Sequence, residues 1–582
     1  MTKPFRLVCL ALMSCAVLVA GCANVPEESQ PEVLTPRGAQ MSSPDVKEPD
    51  RNLDALSVVR AFAHASALPT ENNAGARVYL DEQVRQKWSP VQGFTVIDDT
   101  FGTVYDTTQP QDPNERSVVL RGFTVGELGA DAAFTSGKNS YEWTYKVRRQ
   151  ADGQWRLVDP PPKIVLAESD FIANYFRVPV YFIAPESNVL VPDLRYVAAK
   201  PQSGLPGRVV NLLLGGPSNG LIGAVKTAIP EQTTLETNVQ ANKDGSLVVP
   251  LSGVGDQGQD IRKLMAAQIV QSLQSVTTSR VQLLGDGRSL VSGHDAWLPS
   301  ELPSNGSLTA PAAELQGLMV VNGRVRSLAD GQPVSGPAGD GSVGILSAAQ
   351  SLDGKRLALV ENDHGKQQLR VGEFGGEMPR VSLYGSSLTR PTWRPTLTVG
   401  GVASELWTVV DDKQVLRVSR SADGRWLPQV VNADEIATIG QITALRLSRD
   451  GTRAALIVNG QLVIASVARA QDSVTLRMPK VVRGGGDLTG VVDVDWAGPD
   501  VVIAATTSAS QPVVKVPIDG LRADPFNSSN LTPPVHAVAA APGRSVMVAD
   551  SGGLWTASDI GEVWRPHQPS SVNGVETPFY PG

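Results

Sequence analysis

The sequence predicts a multidomain chain: an α+β domain, then an α/β domain, then an all-β propeller, all carried behind a lipidated amino terminus. Three observations predict it. The only cysteines, Cys9, Cys15 and Cys22, lie at the amino end beside an apolar run. Helical and alternating apolar periodicities share the middle of the chain. From about residue 310 the chain becomes Gly-rich, β-branched and repetitive.

Lys3 and Arg6 precede the apolar run from Leu7 to Ala20. That run has the length of a signal-peptide core and is too short to cross a bilayer comfortably. It ends in Leu18-Val19-Ala20-Gly21-Cys22, which reads as a lipobox. Residues 1–21 are then a signal peptide cleaved after Gly21, and Cys22 carries a diacylglycerol thioether. An ordinary secretory signal would leave Cys22 unexplained, since no cysteine follows it. Two or three acyl chains such as palmitate bury methylene groups at about 0.8 kcal/mol each, enough for stable anchoring. Without disulfides, the exported fold must rest on burial alone. Residues 22–49 hold the lipidated cysteine and a tether rich in Pro, Ser and acids, with no aromatic residue. Such a segment cannot offset its ordering entropy and is expected to be disordered. Fully extended it reaches on the order of 80 Å; as a coil it spans about 30 Å.

The first domain is expected over residues 50–170. Leu53, Leu56, Val59 and Ala63 mark a helix with Asp50 as its N-cap. Ala76, Leu80, Val84 and Trp88 recur every fourth residue and predict a second helix. Tyr141, Trp143, Tyr145 and Val147 alternate with Glu142, Thr144, Lys146 and Arg148, as in a half-buried strand. Asp152-Gly153 turns the chain, and Trp155-Arg156-Leu157-Val158 returns as the hairpin partner. Helices followed by a meander suggest a curved sheet cupping a helix, as in the nuclear-transport-factor-2-like fold.

The second domain is expected over residues 171–290. Val178 to Ala184, Leu247 to Leu251 and Val281 to Leu284 predict strands. Ile261, Leu264, Met265, Ile269 and Leu273 predict an amphipathic helix. Arg208 to Leu214 is largely apolar and fits a helix or a strand. Gly216-Pro217-Ser218-Asn219-Gly220 matches the G-x-S-x-G of a serine-hydrolase nucleophile elbow. An elbow needs a strand before it, a helix after it, and a later acid and histidine. The later histidines, His294, His364, His536 and His567, lie in a Gly/Pro-rich linker or among the repeats. The favoured reading is a structural turn that stops a helix; Ser218 as a nucleophile is the minor alternative. Leu212-Leu213, Gly216-Pro217 and Ala228-Ile229-Pro230 resemble the core signature of the GerMN domain, a small α/β domain of spore-germination and cell-envelope proteins. That resemblance brings no catalytic residues with it.

Residues 291–310 read as a linker and residues 311–582 as the propeller. Ser351-Leu352-Asp353-Gly354-Lys355-Arg356-Leu357-Ala358 is echoed by Ser448-Arg449-Asp450-Gly451-Thr452-Arg453-Ala454-Ala455. Weaker echoes are Trp393-Arg394-Pro395, Trp496-Ala497-Gly498-Pro499 and Ala541-Pro542-Gly543-Arg544. Val321-Asn322-Gly323 resembles Val458-Asn459-Gly460 and adds a partial copy. A spacing of roughly 44 to 53 residues, with several strands per copy, predicts five to seven blades, six preferred. Closure is expected because each blade leaves an apolar face that only its neighbours can cover. Asp353-Gly354 and Asp450-Gly451 read as turns; Lys355 and Arg356 argue against a calcium loop. Arg483-Gly484-Gly485-Gly486-Asp487 lacks the Lys-Ser/Thr of a phosphate loop. No cofactor or metal site is expected.

With 58 acidic and 51 basic residues and no basic cluster, the chain is a poor candidate for nucleic-acid binding. Together, the lipobox at Cys22, Gly153-Gln154-Trp155-Arg156, Val191-Pro192-Asp193-Leu194-Arg195-Tyr196, the GerMN-like turns and the repeats resemble the LpqB family of actinobacterial lipoproteins. The resemblance covers nearly the whole chain and is most specific from Tyr181 to Pro230. It implies a partner role and no enzyme activity. Members are associated with the MtrA–MtrB two-component system, the lipoprotein acting on the extracytoplasmic side of the sensor histidine kinase MtrB. That pathway bears on cell-wall homeostasis and division. The implied partners are the extracytoplasmic domain of such a kinase and, through Cys22, the cell membrane. The alternative is recognition of peptidoglycan or another cell-wall glycan. Trp393, Trp407, Trp496 and Trp555 are then candidate sugar platforms, although blade packing is their first reading.

Overall fold

The first helix, Ala55–Ala65, buries Val58, Val59 and Phe62 along one face. Its cap is Asp54, whose carboxylate accepts the Ser57 amide at 2.7 Å; the expected cap, Asp50, lies too early. The structure, a computed structural model, describes residues 48–68, 73–107, 112–302, 309–395, 401–471, 473–486, 488–568 and 576–582. Gly21, Cys22 and the tether through Lys47 fall outside the described residues.

The second expected helix is broken in two, Ala74–Arg77 and Glu82–Lys87. Between the pieces, the Tyr79 carbonyl accepts from the Leu157 amide and the Asp81 amide donates to the Leu157 carbonyl, both at 2.9 Å. Asp81 then caps the second piece through the Gln83 amide. The sheet edge outcompetes helix continuation, yet Ala76 and Leu80 still face the core. The seven-stranded sheet of this domain runs Trp155–Asp159, Ser140–Arg149, Glu115–Leu128, Phe94–Ile97 and Ile164–Ala167; Gly102–Tyr105 and Phe134–Ser136 also pair with the long strand. The expected alternation holds at Tyr145 and Val147, both buried, and fails at Trp143, which is 37% exposed.

The helix Glu168–Asn174 crosses the expected break at 170/171 and leads directly into strand Tyr175–Ile183. That strand forms a ribbon with Leu190–Ala198. Eight of the nine residues in the second ribbon strand are buried, so it shows no alternation to read. The ambiguous run resolves as the helix Leu205–Leu214, with Pro206 in its first turn, where a missing amide costs nothing. Gly216, at φ +85°, turns the chain away after it. This helix and Gln259–Leu273 share one core with the strands Leu247–Ser252 and Val281–Gly285. Val291 and Trp297, expected in a linker, join that core, and the Val281 and Trp297 backbones pair at 2.8 Å.

Six sheets then form a ring. Blades 2 to 6 have four strands each and span 345–385, 392–430, 442–481, 491–525 and 537–566. Blade 1 combines Leu318–Val321 and Arg324–Ser327 with Glu576–Phe579 from far downstream. That late strand touches the first strands of blades 6 and 2 and closes the ring. The repeats fall after the first strand of each of blades 2 to 6. In the Ser-x-Asp-Gly turns, the Gly354 and Gly451 amides donate to the Ser351 and Ser448 carbonyls at 2.8 Å. Residues Glu48 to Gly582 make one compact unit.

Candidate functional site at the junction of three domains

Asp193 and Arg195 sit two apart on strand Leu190–Ala198, so their side chains leave on the same face. Both side chains are at most 5% exposed. Asp193 accepts from Arg195 at 2.6 Å, from the Ser218 hydroxyl at 2.8 Å and from the Ser218 amide at 2.7 Å. Arg195 also donates to the Gly216 carbonyl at 3.1 Å and to the Asp131 carbonyl. Asp131 belongs to the first domain, and its carboxylate accepts the Asn219 amide at 3.0 Å. One buried ion pair therefore fastens the Gly216–Asn219 turn to two domains at once.

The propeller closes on the same place. Arg453 donates to the Pro192 carbonyl. Asp519 accepts from the Tyr196 hydroxyl at 2.8 Å and pairs with Arg177 at 3.4 Å. Burial, with the Asp519 charge beside it, pushes the Tyr196 hydroxyl well up. Burial likewise raises Asp500, against the pull of Arg177 and Arg453. The first domain meets the propeller directly as well: the Ser136 hydroxyl donates to the Val481 carbonyl at 3.0 Å. Glu186 reaches Arg394 on the propeller side.

This geometry answers the sequence readings. Ser218 is 3% exposed, follows a helix and not a strand, and directs its hydroxyl at Asp193. Among the described residues no histidine bonds to it, so the motif builds a turn and not an elbow. Trp393, Trp407 and Trp496 are at most 1% exposed, and each indole N–H has an internal acceptor. Trp555 donates to Asp550 at 2.9 Å. The first three are blade-packing residues, and Trp555 is partly buried against the core of blade 6. Asp353 and Asp450 accept from serines of their own turns. Around the centre of the ring, Arg390 pairs with Asp495 and Arg446 with Asp493, each at 3.4 Å. Burial lowers Arg446 and Arg449 to about 10. Sequence reasoning singles out the stretch that holds Asp193 and Arg195 but does not pair them. Two opposite charges on one face of an otherwise apolar stretch are the available signal.

Fold and site together define the class: an α+β domain, a GerMN domain and a six-bladed propeller, locked by a buried polar junction. Family descriptions match in the same order: "Lipoprotein LpqB, N-terminal domain" over 48–172, "Sporulation and spore germination" over 179–291, and "Lipoprotein LpqB beta-propeller domain" over 323–581. Lipoprotein LpqB of Nocardia farcinica is 30% identical, with 98% of this chain and 97% of that one aligned. The chain belongs to the LpqB lipoprotein family. The protein of the same name from Rhodococcus opacus is 29% identical over 99% of this chain and 98% of its own; that from Mycolicibacterium smegmatis is 28% identical over 99% and 100%. None of these descriptions names a reaction. Among the described residues no helix is long and apolar enough to cross a membrane.

Proposed function

We propose that this protein is anchored by a lipid on Cys22, after cleavage at Gly21, to the extracytoplasmic face of the cell membrane. There its folded body binds the extracytoplasmic domain of an MtrB-like sensor histidine kinase and modulates a two-component system acting on cell-wall homeostasis and division. The observation that carries this reading is the end-to-end likeness to LpqB lipoproteins, read with the lipobox. The junction supports it: its polar side chains hold domains together instead of facing a reaction space. The glycan alternative loses three of its four proposed platforms, because Trp393, Trp407 and Trp496 are buried packing residues.

Two measurements test the proposal. Cells fed a labelled fatty acid should label the wild-type protein and not Cys22→Ala. The full-length protein in nanodiscs should bind the purified kinase ectodomain at micromolar concentrations or tighter. A folded protein that takes no label, or shows no binding at tens of micromolar, would refute the respective half.

A further inference from the structure

The turn Ser-x-Asp-Gly-x-Arg joins the first and second strands of blades 2 and 4, and the two copies match bond for bond. The Arg356 and Arg453 amides donate to the Ser351 and Ser448 hydroxyls, each at 2.9 Å. The Phe374 and Val467 amides donate to the Lys355 and Thr452 carbonyls, each at 2.8 Å. Their surroundings differ. The blade 4 copy is filled by the GerMN domain. On one flank Arg453 donates to the carbonyl of Pro192, which lies on an extended strand. On the other flank Val467 is 2% exposed and lines a small cavity with Ala184 and Pro185.

In the blade 2 copy the tip is covered, since a Cβ built on Gly354 would meet Leu315 at 2.7 Å, but both flanks are bare. Phe374, the counterpart of Val467, is 38% exposed. Arg356, the counterpart of Arg453, is only 6% exposed. Its side chain makes no hydrogen bond or ion pair among the described residues, and its Nε is buried without an acceptor. The guanidinium lies over the Trp426 ring of blade 3, 5.7 Å from its centre, and that ring packs edge-on against Trp393. Stacking of this kind orients an arginine and leaves its N–H fork free to bond in its own plane. Arg420 repels this cation, while Glu373 and Asp353 attract it without closing an ion pair. Asp353 accepts from its own turn. Glu373 is exposed and faces Arg356 in register on the next strand. The groove between blades 2 and 3 therefore offers a donor fork beside an acceptor. That combination suits a peptide unit, which has one acceptor, one donor and no charge; Glu373 would repel an anion.

We propose that the blade 2 turn is a second docking site, built like the one blade 4 uses for the GerMN domain, and that it takes an extended apolar segment of a partner protein. Arg356 binds a backbone carbonyl of that segment, as Arg453 binds that of Pro192. Glu373 accepts a backbone amide, and Phe374 packs on a side chain at the other flank. A second copy of this chain does not supply the segment, because its own Leu190 to Pro192 stretch is buried in its blade 4 site. This inference does not depend on the kinase being the partner.

The test uses the full-length protein in nanodiscs with acetyl-Val-Leu-Val-Pro-amide, the sequence of residues 189–192, as the probe. Binding is followed by saturation-transfer NMR, and a diazirine form of the peptide maps the contact by photo-cross-linking and mass spectrometry. Cross-links should fall in the groove between Arg356 and Trp426. Arg356→Met should weaken binding roughly tenfold or more, as expected for loss of a charged hydrogen bond. Glu373→Trp, at an exposed position that leaves Arg356 in place, should weaken it as well by filling the groove. Circular dichroism melts check that both variants fold. In cells, benzoylphenylalanine in place of Phe374 should join the protein to an uncharged apolar segment of a partner on irradiation, and adding Arg356→Met should abolish that adduct. No binding at tens of millimolar, cross-links confined to other surfaces, or unchanged binding by folded Arg356→Met would overturn the proposal. So would the lack of an adduct in cells, or an adduct through a charged segment.

Discussion

At the residue scale, the Asp193–Arg195 pair decides how much the junction can tolerate. Removing one partner of a buried pair leaves an uncompensated charge, at a cost of about 3–5 kcal/mol. Asp193→Ala is therefore expected to lower stability by that amount in urea unfolding. Ser218→Ala removes one hydrogen bond and should cost only about 1 kcal/mol. Equal costs for the two would show that the ion pair is not the centre of the junction. His64 offers a second test. Its Nδ1 lies 2.5 Å from Asp170, and that hydrogen bond raises the imidazole above its ordinary value. A raised folded value stabilises fully below the unfolded value, about 6.5, and the gain fades as pH rises through the folded value. His64→Gln should thus cost most at about pH 5 and little at about pH 9. A cost that grows with pH would contradict the assignment. The serine's role as a turn was legible from the placement of the later histidines in a linker and among the repeats. Its partner, twenty-five residues earlier, was not, because periodicity reports which face a residue takes and not what it meets across domains.

At the scale of elements, short-range signals placed the elements better than they placed their ends. The Ala55–Ala65 helix was legible, but Asp54 caps it through Ser57. Asp54→Ala should cost about 1 kcal/mol and Asp50→Ala much less, as read by thermal melts. The reverse order would restore Asp50 as the cap. The stripe from Ala76 to Trp88 kept its spacing while the helix broke, since a sheet edge at Leu157 took the backbone groups. Strand Leu190–Ala198 was invisible to alternation because both of its faces are covered. In the propeller the reading was most complete. Gly354 and Gly451 need positive φ, so the turns after the first strands repeat in sequence as well as in shape.

At the scale of the whole molecule, ring closure is the property to test. Phe579, 2% exposed, lies on the strand that completes blade 1. Deleting residues 576–582 should cost at least about 3 kcal/mol for that side chain alone. It should also open Leu318–Val321 to proteolysis. An unchanged melt with intact blade 1 would show that the ring does not depend on this strand. The junction around Asp193 could not have been assembled from the sequence, because its partners come from three domains.

That late strand also imposes an order of events on synthesis. A chain made from its amino end presents Leu318–Val321 long before Glu576–Phe579 exists. Until then blade 1 has an unpaired edge, and the neighbouring blades have no wall to lean on at the seam. Nascent chains with such edges are prone to aggregate. The first two domains are synthesised early, but Tyr196 waits for Asp519 and the first core for Leu521. The propeller must be kept from strangers until its own last strand arrives.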